Sequence, residues 1–238
     1  MLYFRPQLGP TLFFLAAGVV MISLGFWQLQ RLEEKEALLA RVAAGFNGPT
    51  LPLAEAMEGG VPMEWRRVKV AGRFDHAKEA YLFGRDLKGA VGVHVITPLT
   101  QANGETVLID RGFVPEERRD PKTRAEGQIE GETDLSGVLR LPVAPGPFTP
   151  APDLTGKLFF ARDVAAIAAA LDTPVLPIFI EAGEAPNPGG WPVGGQTNID
   201  IPNNHLAYAL TWFGLALTLT VIYLLFHRSV GRLSFGRT

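Results

Sequence analysis

The chain has no cysteine, which excludes disulfides, thiolate zinc and iron–sulfur sites, a thiol nucleophile and CxxCH haem attachment. Serine is nearly absent. Of Ser23, Ser136, Ser229 and Ser234, only Ser136 lies away from the apolar ends, and Leu135-Ser136-Gly137 is no GxSxG elbow, which argues against a serine hydrolase. The four histidines, His76, His94, His205 and His227, show no HExxH or other close metal-ligand spacing. A basic excess is missing too: 22 basic against 24 acidic residues give a net charge of −2, without the cationic stripe that nucleic-acid binding needs. There is no P-loop, no GxGxxG and no repeat, and no pair of carboxylates is set apart by spacing. The chain therefore reads as a non-enzyme.

What is present is apolar length. Only 19% of residues are charged and 47% are hydrophobic. Pro6 to Gln30 contains no charge, and neither does Leu206 to Phe226. Each run reaches the ~20 residues that a helix needs to cross a hydrocarbon core. Trp27, Tyr208, Trp212 and Tyr223 stand near the ends, as interfacial aromatics do. The first run is too long for a signal-peptide h-region and lacks a small-x-small cleavage site, so it reads as a retained anchor. All 24 acidic residues fall between Glu33 and Asp200, whereas the flanks carry Arg5 on one side and Arg228, Arg232 and Arg237 on the other. Basic flanks belong to the cytoplasmic side. The expected layout is a cytoplasmic N-terminus (1–7), a span at 8–29, an outer domain at 30–204 that begins with a helical stalk (30–46), a second span at 205–226 and a cytoplasmic tail (227–238). In a bacterium the outer domain would be periplasmic and the membrane the inner one.

Within the outer segment the hydrophobic period changes to two. Strands are expected at Arg67–Phe74, Ala80–Phe83, Val91–Thr97 and Thr106–Val114. The last two are joined by Asn103-Gly104, the strongest hairpin signal in the chain. Gln128–Glu132 with Gly137–Arg140 reads as one bent strand, and Val175–Glu181 as a strand with an edge proline. One short helix fits Arg162–Leu171 before Asp172-Thr173-Pro174. The fold class is thus two transmembrane helices flanking a mainly antiparallel β domain, a sandwich or small barrel with one short helix. Pro142 to Pro152 holds five prolines and is irregular.

One candidate site remains, at the outer membrane edge. His205, Tyr208 and Trp212 fall at i, i+3 and i+7 on the second helix, while Trp27 and Arg31 are i and i+4 on the first, with Gln28 and Arg31 at i and i+3. Imidazole ligates haem iron, arginine pairs with a propionate, and aromatic faces cover a macrocycle. The same residues also read as a capped helix start (Asn203 or Asn204), a wet interfacial histidine and an aromatic belt, and both readings stay open.

The sequence resembles the surfeit locus protein 1 family, the Shy-type cytochrome c oxidase assembly factors, nearly from end to end. The resemblance is carried by Leu24-Gly25-Phe26-Trp27-Gln28-Leu29-Gln30-Arg31, Trp65–Phe74 with Glu79 and Arg85, and Val95–Leu99 with Val107–Pro115. Gly137–Arg140, Arg162-Asp163 and Asn203–Phe213 complete it. The hairpin block more often reads Asn-Arg-Gly-Trp where this chain has Asp110 and Phe113. The resemblance implies a role in building haem–copper oxidases, by transient binding of haem a and its delivery to the catalytic subunit. Partners would be that subunit, haem a synthesis and assembly proteins, and membrane lipid. It also implies that His205 ligates the haem iron. Tyr208, Trp212, Arg31 and Trp27 join the candidate haem site from depth and periodicity alone. The alternative is an interaction scaffold that stabilises the catalytic subunit without binding haem. Arg66, Arg67, Arg85 and Arg111 form either a basic face or ion pairs with the many carboxylates.

Overall fold

A computed structural model describes residues 2–58, 63–86, 88–199 and 201–235. Arg237, the last base of the C-terminal flank, and Asp200 lie outside them. The chain divides into two compact units, one of Met1–Ala40 with Asp200–Thr238 and one of Arg41–Ile199.

The first unit is an antiparallel helix pair. Helix α1 runs unbroken over Leu8–Phe46, and α4 over His205–Ser229. Both are long and apolar enough to cross a bilayer, and only 6% and 11% of their most apolar stretches are buried within the protein. Core helices of a soluble domain would be covered, so these apolar surfaces are left for lipid. The pair closes around Gly25, where an added Cβ would stand 2.5 Å from the Phe213 ring. Ala209 is buried in the same unit, and such small residues let helix backbones approach in lipid. At the far end Phe14 stacks on Tyr223 at 4.3 Å. Thr11 Oγ1 donates to the Gln7 carbonyl (2.7 Å), so the Tyr223 hydroxyl is the donor in its 2.7 Å bond to Thr11. His227 is fully buried there, with Nδ1 donating to the Tyr223 carbonyl (2.9 Å) and Nε2 accepting from the Gln7 amide (3.1 Å). Strands β1 (Leu2–Phe4) and β10 (Leu233–Phe235) pair antiparallel beside this end.

The second unit is a strand-rich domain with a barrel-like sheet. Its strands are β2 (Leu51–Pro52), β3 (Arg67–Phe74), β4 (Ala80–Arg85), β5 (Val91–Thr100), β6 (Thr106–Pro115), β7 (Glu132–Arg140), β8 (Leu158–Phe159) and β9 (Phe179–Ala182). Their order is β2-β3-β7-β9-β6-β5-β4-β8, and β3 also pairs with β5. That extra pairing closes a ring of β3, β7, β9, β6 and β5. The corner lies at Gly72, where a Cβ would come within 2.5 Å of the Thr100 carbonyl oxygen, so only glycine lets β3 bend from β7 onto β5.

Burial follows from this closure. Along β3 the exposed residues alternate with Val68, Val70 and Gly72, as a strand with one wet face must. Strand β6 is buried from Val107 to Val114 because both its faces are covered. Val107 and Ile109 join Val68, Val70, Leu99, Leu139 and Ile180 in one core. Leu108 packs with Ile96, Phe179 and the short helix α3 (Val164–Ala170) in another.

Several expected bounds shift. Strand β5, expected to end at Thr97, runs through Pro98 to Thr100, and β4 reaches Arg85. The strand expected from Gln128 starts at Glu132, because Gly131 turns the chain at φ +84°. The one expected at Val175–Glu181 shortens to Phe179–Ala182, since Pro177 has no N–H and Ile178 turns back to the Leu176 carbonyl (2.8 Å). Helix α3 begins only at Val164, because Asp163 caps it by accepting from the Ala166 amide (3.0 Å). A four-residue helix, α2 (Leu53–Ala56), and a 3-10 segment at Pro121–Gly127 are additional to the expected elements.

Candidate functional site

His205 opens α4 and is half-buried. Its backbone amide points to Asn203 Oδ1 at 3.4 Å, and Asn204 occupies the N-cap without a side-chain bond. Its Nδ1 lies 2.7 Å from Gln28 Oε1 on α1. A carbonyl oxygen only accepts, so Nδ1 is the donor, and in the neutral imidazole the lone pair is on Nε2. Among the described residues Nε2 makes no hydrogen bond. Metal-ligating histidines donate their second ring nitrogen to an outer acceptor in the same way, which fixes tautomer and ring orientation; the buried His227 does so too.

The other edge residues are placed less tightly. Arg31 stacks its guanidinium 5.6 Å from the Trp27 ring centroid and pairs with Glu34 at 2.6 Å, both partners being exposed. Trp27 and Tyr208 are exposed and Trp212 is half-buried. Among the described residues neither Tyr208 nor Trp212 makes a side-chain hydrogen bond or ring contact. The structure thus joins His205 to Gln28 and Trp27 to Arg31. Gln28 was legible only as a residue at the same depth, because nothing in a single helix's spacing names the partner on another helix.

Among the described residues the barrel unit holds several buried charge clusters, one of them Arg140 and Arg162 on Glu181 (2.9 and 2.7 Å). In another, Arg124 grips Glu79 with both guanidinium nitrogens (3.1 and 2.6 Å), and Gln128 adds a bond at 3.2 Å. Burial alone would raise the Glu79 carboxyl. The neighbouring His76 and the Arg124 guanidinium outweigh it and hold the group down at about 2. Arg111 lies 3.7 Å from the same carboxylate, donates to the Gly127 carbonyl and stands 4.9 Å over the Phe74 ring. Burial lowers its guanidinium to about 10. In a third cluster His94 Nδ1 meets Asp110 at 2.9 Å, and Asp110 also accepts from the Gly112 amide (2.9 Å). Burial pulls this imidazolium down, but the adjacent carboxylate overrides it and raises the group to about 9. The signal for this pair was present: the hairpin register sets Asp110 opposite Ile96, hence diagonal to His94 on one face. The arginines form no common face, since Arg111 is only 2% exposed whereas Arg67 and Arg85 are exposed.

Residues 15–217 match the SURF1 family. The chain belongs to that family. It is 37% identical to surfeit locus protein 1 of Rattus norvegicus, over 92% of this chain and 76% of the relative. It is 37% identical to that of Homo sapiens, over 86% and 73%, and 35% identical to that of Xenopus tropicalis, over 86% and 71%. The SURF1-family match takes in both helix ends, with Gln28 and His205, and the whole barrel with its ion clusters. Among the described residues no three histidine or acidic side chains cluster as a metal site.

Proposed function

We propose that this protein is a membrane-anchored assembly factor for haem–copper oxidases. It would bind haem a transiently through His205 and hand it to the catalytic subunit. The supporting observation is the 2.7 Å bond from His205 Nδ1–H to Gln28, which in the neutral imidazole puts the lone pair on Nε2. When bound, haem would supply an iron that this imidazole can ligate. Arg31, on leaving Glu34, would meet a propionate, and the exposed faces of Trp27, Tyr208 and Trp212 would cover the macrocycle. Both termini would be cytoplasmic and the barrel on the outer side of a bacterial inner membrane, by the positions of Arg5, Arg228 and Arg232. The family resemblance supplies the oxidase and its assembly proteins as partners.

The test is a visible spectrum with haem extraction on detergent-purified protein from a host that makes haem a. The expected outcome is haem a in the parent and its loss in a folded His205→Ala variant. Folded, haem-free parent protein would instead support a scaffold that holds the catalytic subunit. One feature favours that second reading: Phe148, in the proline-rich loop, is 99% exposed, with Val143 and Leu154 exposed beside it in sequence. Exposed apolar side chains of this kind are used to dock partners.

A further inference from the structure

Beside the ion cluster, the barrel unit carries a cavity of about 710 Å³ that the function proposed above does not use. Phe74, Arg111 and Asn187 line it together. In the cluster two buried guanidiniums share one carboxylate. Glu79 is already held bidentately by Arg124, and Arg111 reaches it only at 3.7 Å. The remaining partners of Arg111 carry no negative charge: the Gly127 carbonyl, the Phe74 face, His76 Nδ1 at 3.5 Å and Asn187 Oδ1 at 3.4 Å. A buried cation without a counter-ion of its own favours an anion in the adjoining space. Burial, and after it the neighbouring Arg124, lower the proton affinity of Arg111 against the pull of Glu79.

The rest of the lining completes a mixed site. Thr133 and Leu135, on one face of β7, and Ile129 give it a hydroxyl and apolar wall. Of the two charged residues on β3 and β7 that complete the lining, Lys69 offsets Asp134, so the guanidinium sets the sign. A cavity of this size accommodates a drug-sized molecule.

We propose that this cavity binds an amphipathic organic anion, a carboxylate on an apolar body, with the carboxylate toward Arg111. The site is separate from His205 and does not depend on haem binding. The test uses the full chain in phosphatidylcholine nanodiscs, with empty nanodiscs as the blank. Calorimetric titration compares 2-naphthoate with its neutral isostere 2-naphthamide. Naphthoate is expected to bind about 10-fold or more tighter, since hydrogen bonds to charged groups are worth more than neutral ones. Arg111→Gln should abolish that preference. Because this variant risks misfolding, Ala185→Trp serves beside it: Ala185 is an exposed lining residue outside the ion cluster, and an indole there is expected to occupy the cavity. It should weaken naphthoate at least as much, while His205→Ala leaves binding unchanged. Equal affinity for acid and amide, no binding to the parent, or binding indifferent to Ala185→Trp would each overturn the proposal.

Discussion

At the scale of single residues, the partner of His205 matters as much as the histidine. Gln28→Leu removes the acceptor that holds the proton on Nδ1, so imidazole tautomer and ring angle are no longer fixed. The expected result is haem affinity reduced roughly 10- to 100-fold with the helices still folded, read by titrating haem into the variant and following the visible spectrum. Gln28→Glu keeps an acceptor and should retain most of the affinity. Glu79 gives the corresponding test in the barrel. Glu79→Gln leaves Arg124 and Arg111 buried with no anion and should cost roughly 3–5 kcal/mol in denaturant unfolding followed by near-ultraviolet dichroism. Lys69→Gln, at an exposed position, should stay within about 0.5 kcal/mol of the parent.

Elements decide how much of this could be read in advance. The period-two run at 67–74, the Asn103-Gly104 turn and the two charge-free runs each state their structure locally, and β3, the β5–β6 hairpin, α1 and α4 appear where those signals are. The closing of β3 onto β5 and the insertion of β9 between β6 and β7 depend on pairings between distant segments, which no local period records. For the same reason the grip of Arg124 on Glu79, 45 positions apart, was not legible, whereas His205 was singled out because a histidine opens an otherwise apolar helix. The β5–β6 hairpin also carries a pH prediction. His94 titrates at about 9 in the folded hairpin against 6.5 for a free imidazole, so its pairing with Asp110 stabilises the fold fully below pH 6.5 and is lost as pH rises through 9. The span corresponds to on the order of 3 kcal/mol. Urea midpoints should therefore fall between pH 6.5 and 9 in the parent and stay flat in Asp110→Asn. Glu79 acts oppositely: its contribution is lost as pH falls from about 4.5 through about 2.

For the whole molecule, the absence of cysteine makes the proposed orientation directly measurable. A single cysteine at Phe148, 99% exposed, should react with an impermeant maleimide added to spheroplasts, and one at the exposed Arg228 only after lysis. Labelling of both from the same side would reject the proposed topology. The ring of strands has a further consequence, in the order of synthesis. Strand β9 stands between β6 and β7, pairing Ile109 with Ile180 and Leu139 with Ile180, yet it is the last of the barrel strands to be made. Until residue 182 has left the ribosome, the edges of β6 and β7 that it will cover stay bare, and bare edges invite pairing with other chains. Contacts so distant in sequence also form slowly. The barrel is therefore completed only at the end of its own translation, shortly before the second apolar helix emerges, and any chain cut short ahead of Phe179 carries an open sheet.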